Sequence, residues 1–489
     1  MISDRREQKW VAEISEILDR QLEIEVEIPP AVSIFQIPEI ITTKKPEAYK
    51  PQHVGFGPYH HFQPGPYSKM QQKKLVRLQR LLQNHKIADF RGVVVHKVKK
   101  LVPVIRACYD SFLPDDNVSM AWVFAIDGLF LLHLFQVTNT DSDQIPKVDS
   151  TKRLLAQDIM MVENQIPFML LKEINEALHS SSPGSNDFSP SIYRSFSEIH
   201  SPLKLCPLSK APTNHVHHLL HYMYHSIINN VPTPTFDSVH LPVPGRMTKI
   251  LLPGIVNFVE QLPTDEIVRL YELAITSLHN FSSIGSGTTI PSASRLQSRA
   301  GFQFHSLPEN GGGVESVYVN GNTIYLPPVT LESDSDVILR NLVAYETLMP
   351  HSDHHPLAEY ASLMCGLIVD VEDVRVLKQH DIIRGELGED EVAEIFVGMS
   401  GSILSSKIKS KSALQNMIVE VNKVYEGRPR IMAYLFLKKL AKWVLVFLTH
   451  IGSVVGGTWK IVAFVAGLVS LVMLTYKNYC DVYGCDKKN

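Results

Sequence analysis

DIMMVENQIPFMLLKEI, residues 158–174, sets Asp158 and Glu163 among apolar residues and then breaks the helical pattern at Pro167. Proline supplies no backbone donor, and its ring clashes with the preceding turn, so one helix cannot run through the stretch. The polar run Glu163-Asn164-Gln165 stands just ahead of that break. Its side chains are suited to satisfying the backbone groups that the interruption frees, since buried N–H and C=O groups need partners. An isolated buried carboxylate is costly. Asp127, in the apolar helical pattern of 119–136, poses the same problem. Asp127, Asp158 and Glu163 are therefore either scaffold residues or a set able to do acid–base work or hold a divalent ion. The scaffold reading is preferred, and no catalytic, cofactor-binding or metal-binding residue is assigned.

Outward from this stretch the chain reads as a mainly α fold: a large multi-helix body with a small β-hairpin element and a C-terminal transmembrane helix. The body spans 31–431. Residues 31–66, rich in Pro, Tyr and His, lack helical period and read as an ordered, irregular wrap. Helical patterns follow near 68–86, 96–112, 119–136, 150–178, 214–229 and 246–280. Low-complexity composition marks a flexible loop at 179–214 and a linker at 282–299. Within 301–330 the alternation around Asn320-Gly321 predicts a β-hairpin, because Asn-Gly suits a type I′ turn. Ser333 and Asp336 resemble a capping box opening a helix through Leu348. Helices near 356–379 and 389–400 complete the body.

The 489 residues carry a net charge of −3, and 45% are hydrophobic, which is globular composition without a global pull toward nucleic acid. Cys108, Cys206 and Cys365 are an unpatterned odd set in the body, as expected of a reducing compartment. Cys480 and Cys485 lie in the tail and have the option of pairing if it reaches an oxidising space. Residues 1–30 are charged throughout, unlike a signal peptide. Trp10, Ile14, Ile17, Leu18 and Leu22 recur at helical spacing, which predicts an amphipathic helix.

From Trp443 to Tyr476 the only charged residue is Lys460, in a run of 34 residues. At ~1.5 Å per residue that exceeds one ~30 Å hydrocarbon core. Gly456-Gly457 offers a break, and 454–476 is the best single span, with Lys460 reaching back to the near interface. Residues 432–453 form a basic and apolar approach, and 477–489 a short tail. A single-pass protein of the plasma membrane with its body in the cytosol is expected, touching membrane lipid through 454–476.

His215, His217, His218, His221 and His225 include sets that share a helical face, yet no nearby thiol or carboxylate completes a zinc site. His351, Asp353, His354 and His355 read as a polar turn. Between Lys69 and Arg106 stand eleven Lys/Arg and one acid, Asp89. Lys73, Arg77 and Arg80 fall on one face, a candidate contact for anionic lipid; interleaved aromatics for nucleic acid are missing. No phosphate loop, nucleophile elbow or zinc-protease motif occurs.

Four segments resemble the plant domain-of-unknown-function 247 family: SIFQIPEIITTKKPEAYKPQHVGFGPYHH near the start, DIMMVENQIPFMLLKEI with its string Glu163 to Phe168, NTIYLPPVTLESDSDVILRNLVAYE, and DVEDVRVLKQHDII at 370–383. The resemblance implies a plant origin, membrane association and no established reaction. Some grass members are regarded as pollen-side determinants of self-incompatibility. The function expected is non-enzymatic recognition or signalling through an unidentified protein partner. The alternative is a membrane-tethered hydrolase or transferase using Asp127, Asp158 and Glu163. Deleting 443–489 is expected to release the body into the soluble fraction; resistance of the truncated chain to carbonate extraction would show that the membrane contact lies elsewhere.

Overall fold

The computed structural model describes residues 15, 32–61, 65, 68–85, 87–140, 150–179, 191–203, 216–228, 290–308, 313–349, 354–400 and 412–427. Apart from Ser15, the amphipathic helix expected in 1–30 lies outside the described residues, as do the helical block at 246–280 and everything from 432 onward, including the span at 454–476.

The architecture is mainly helical. In chain order the helices are α1 (Glu39–Thr42), α2 (Pro58–His61), α3 (Ser68–Asn84), α4 (His96–Arg106), α5 (Asn117–Thr140), α6 (Ser150–Ile159), α7 (Phe168–Leu178), α8 (Ser191–His200), α9 (Leu219–Ile228) and α10 (Ala293–Ala300). They continue with α11 (Ser335–Leu348), α12 (Pro356–Leu367), α13 (Val371–Gln379), α14 (Glu389–Met399) and α15 (Ala413–Gly427). The strands are β1 (Gln303–Ser306), β2 (Tyr318–Asn320), β3 (Thr323–Leu326), β4 (Val329–Thr330) and β5 (Ile383–Arg384).

Contacts divide the chain into two units. The first comprises 1–239, 289–294 and 302–417; the second comprises 240–288, 295–301 and 418–489. The first unit is built around α5, which packs against α3, α4, α7 and α8. Met120, Phe124, Ala125 and Phe135 of α5 are fully buried. Gly128 permits the closest approach, because a β-carbon there would stand 2.5 Å from Ile174 Cδ1 of α7.

The hairpin forms, β2 pairing antiparallel with β3, but Asn320 pairs with Thr323 and the turn is Gly321-Asn322; only Gly321 has positive φ, so the turn is not the type I′ expected of Asn320-Gly321. The hairpin reading did not include β1, which adds parallel to the other edge of β3, with Gln303 opposite Thr323. A two-stranded parallel pair joins β4 to β5. Irregular low-complexity composition also hid two helices: α8 lies within the stretch expected as loop 179–214, and α10 occupies the end of the linker 282–299 and one residue beyond it. Phe196 and Ser197 of α8 are buried, and its Phe196 ring packs on Phe135 of α5, so tertiary contact overrides the weak local signal there. The helical pattern at 356–379 is two helices. Asp370 caps the second, accepting from Asp373 N while Asp373 accepts from Asp370 N.

The Ser333–Asp336 capping box does not form. Ser335 Oγ accepts from Glu332 N at 2.9 Å, whereas Asp336 accepts from Lys45 Nζ and Arg340 Nε, both at 2.7 Å. Two cations outcompete a single backbone amide for that carboxylate. Replacing Gly128 with alanine is expected to cost about 1–3 kcal/mol by overpacking, read as a lowered melting temperature; an unchanged melting temperature would mean that α5 and α7 have room to separate.

Candidate functional site

Six residues with almost no regular structure, Gln52 to Gly57, run from an exposed Gln52 and a half-buried His53 into the interior of the first unit. Val54 and Phe56 are fully buried. A buried stretch outside any helix or sheet must find partners for its backbone elsewhere, and here side chains provide them. Asp158 accepts from Gln52 N, His53 N and Val54 N, the last at 2.7 Å. Asn164 accepts from Phe56 N at 2.5 Å and donates to Val54 O at 2.9 Å. Asp127 accepts from Gly57 N at 2.9 Å. Lys74 donates to Gly55 O at 2.5 Å and to Asp127 Oδ1 at 2.6 Å, with its ammonium 4.6 Å from the centre of the Phe56 ring. Gly57 itself has φ +69°, the left-handed region that a side chain disfavours.

The carboxylates Asp127 and Asp158 therefore meet on one segment and bind backbone amides there. Glu163 is directed elsewhere: its Oε1 accepts from Ile37 N at 2.8 Å. Burial raises the carboxyl pKa values of both Asp158 and Glu163, against the opposing pull of the amides that each accepts. His53 and His60 stand near these two acids, each with a ring nitrogen 3.8 Å from a carboxylate oxygen. Burial pushes His60 down to about 4, so it is a neutral ring at neutral pH.

Asn164 and Gln165 perform the expected repair at the break before Pro167. Asn164 Nδ2 donates to Asp158 O, and Gln165 Nε2 donates to Ile159 O and Met161 O. What the sequence did not signal is their long reach. Gln165 Oε1 also accepts from Leu220 N, and its carbonyl accepts from the Tyr109 hydroxyl.

The histidine run opens α9 and holds its first turn. His218 Nε2 lies 2.8 Å from Ser33 O, a carbonyl that only accepts, so the proton sits on Nε2 and Nδ1 is free to accept from His221 N. His221 Nδ1 accepts from His217 N, which places its proton on Nε2, 2.5 Å from His225 Nε2. The lone pairs of His218 and of His221 Nδ1 are thus committed to backbone amides. Among the described residues no group of three or more His, Cys, Asp or Glu side chains is placed to hold a metal ion. Burial lowers the pKa of His218 to about 3, and that of His221 further still. His215, His351 and Asp353 lie outside the described residues; His354 pairs with Glu315, and His355 is buried.

Beside this run Glu346, fully buried, accepts from the Tyr224 hydroxyl at 2.9 Å and from Leu357 N and Ala358 N at the start of α12. Burial outweighs those donors and pushes its carboxyl up to about 7. Cys108 and Cys365 are free thiols raised to about 12 by burial; Cys206, Cys480 and Cys485 lie outside the described residues. An open cleft of about 610 Å³ is lined by charges of both signs, among them Lys44, Asp336, Arg340, Glu391 and Glu394. Arg340 is already engaged there by Asp336 and by Ile395 O.

Residues 34–473 match the family described as a plant protein of unknown function. The chain belongs to the domain-of-unknown-function 247 family. Its 158–165 motif, the wrap at 34–57 and α11 all fall within the family match. The chain is similar to a putative UPF0481 protein of Arabidopsis thaliana, 26% identical over 98% of this chain and 95% of that one. A second UPF0481 protein of the same plant is 25% identical over 80% of this chain and 76% of its own length. No solved structure matches.

Of the described helices of this family member, one is long and apolar enough to cross a membrane, the 117–135 part of α5, and 67% of its apolar window is buried inside the protein. It is the core helix that carries Asp127. Replacing Lys74 with Met is expected to cost about 3–5 kcal/mol, because Asp127 is left as an unpaired buried charge. Adding Asp127→Asn should recover much of the loss; equal melting of the single and double variants would show that the pair is not coupled. Glu346 gives a pH test. Its folded pKa lies above the unfolded value, so its contribution is full below pH ~4.5 and is lost as pH rises to about 7. Relative to Glu346→Gln, the native chain should lose about 3 kcal/mol across that window; a difference that stays constant with pH would place the carboxyl in contact with solvent.

Proposed function

We propose that this family member is a non-enzymatic recognition or signalling protein, tethered to a cellular membrane through 454–476 with its body in the cytosol, and acting by protein–protein contact. One observation carries the reading: the three acids with the best claim to chemistry hold backbone amides. Asp127 and Asp158 are buried and bonded to consecutive parts of one loop, and Glu163 holds Ile37 N. A general acid or base must reach substrate, and these oxygens face the protein's own chain. A place for the protein in pollen–pistil self-incompatibility rests on kinship alone.

The rival reading, a hydrolase or transferase using the same acids, predicts a different outcome for isosteric variants. The full chain, with Asp158→Asn or Glu163→Gln, would be isolated from native membranes beside the unaltered protein. The proposal expects one or more proteins to co-purify in constant proportion, and any loss in the variants to track lowered thermal stability. Unaltered stability and partners, together with an altered small-molecule profile of the tissue, would favour the enzyme.

A further inference from the structure

The eleven cations between Lys69 and Arg106 are not equivalent in the fold. Lys74 is wholly buried against Asp127, Lys97 lies 3.9 Å from Glu173, and Arg106 donates to Leu113 O and Asp115 O. On α3 the remainder separate cleanly. Lys74, Leu78 and Leu81 are buried, while Lys69, Lys73, Arg77 and Arg80 are exposed. Their spacing of four, four and three residues places these four on one stripe of the helix. Arg77 Nη1 approaches His133 at 3.2 Å; the other three have no ion pair or hydrogen bond among the described residues.

Two further observations set this stripe apart from an ordinary solvated face. No Asp or Glu occurs from Ala48 to Ala88, 41 consecutive residues, in a chain whose overall charge is −3. The helix is also held in one orientation, because the Lys74–Asp127 pair fixes its inward side. Resting on the reading of 454–476 as a membrane tether, we infer that the outward stripe of α3 is a docking surface for an anionic lipid bilayer. Charge complementarity selects the partner's sign. The tether selects its kind, since a body joined to a bilayer meets headgroups at high effective concentration. Long, unbraced Lys and Arg side chains suit a diffuse layer of phosphate and carboxylate better than one fixed acidic group. Exposed Val76 borders the stripe and adds apolar contact beside the cations. With no aromatic residue anywhere in α3, base stacking has no platform.

The test uses the full chain inserted into lipid nanodiscs, either of phosphatidylcholine alone or with added phosphatidylserine. Acylation of lysine amines is then followed by mass spectrometry. Lys69 and Lys73 should react several-fold more slowly in the anionic discs, Lys44 equally in both, and high salt should erase the difference. Arg77→Gln/Arg80→Gln removes two cations and should weaken the engaged state by roughly 25-fold, restoring reactivity at Lys69 and Lys73. Equal reactivity of these lysines in both discs would overturn the proposal while leaving the tether intact. A chain that enters neither disc refutes the tether. In that case protection by added phosphatidylserine vesicles upholds the stripe, and no protection rejects it. Stronger protection by DNA or an acidic peptide than by vesicles would also reject lipid as the partner.

Discussion

A buried backbone without regular structure is the constraint on which the first unit depends. Gln52 to Gly57 cannot satisfy its own amides and carbonyls, and no strand lies alongside to do so. Four side chains, Asp158, Asn164, Lys74 and Asp127, perform that work from four different elements: α6, the 162–164 turn, α3 and α5. Leaving one buried group unmatched costs roughly 1–3 kcal/mol, more for a charge. Each of the four residues is therefore tied to the others through the loop. Both acids serve as ligands for backbone amides.

The same arrangement extends outward. Glu163 takes Ile37 N, Gln165 takes Leu220 N, and Asn341 of α11 donates to Ala48 O while accepting from Val162 N. The early wrap, the 158–165 turn and α11 thus form one polar lattice inside an apolar shell. The buried histidines of α9 belong to the same pattern. They stay neutral and serve as acceptors at a helix start, where Ser, Thr, Asp or Asn more often stand.

Much of this was legible in the residues. Pro167 declared the break, Asn320-Gly321 the hairpin, and the apolar spacing of 68–86 the helix that became α3. The ordered but irregular wrap followed from its Pro and aromatic content. The distribution of the cations was not legible by counting charge. Lys74 did leave a signal, since it shares the i, i+4, i+7 spacing of Leu78 and Leu81, the apolar side of its helix. The parallel pairing of β1 and the hidden helices α8 and α10 depend on contacts distant in sequence, for which local pattern carries no information. Asp336 was misassigned for a similar reason: its partner Lys45 lies 291 positions away.

Those separations also order events during synthesis. The wrap at residues 34–57 leaves the ribosome early, yet its anchors arrive late: Asn164 bonds a residue 108 positions behind it, and Asn341 one 293 positions behind. Until the 158–164 turn emerges, the wrap's buried amides have no final partners, and Ala48 O waits longer still, for Asn341 of α11. Long-range closures of this kind slow folding and lengthen exposure to aggregation. A nascent chain halted before residue 158 therefore has its opening segment without a home, which makes the early wrap a natural client for chaperones bound at the ribosome.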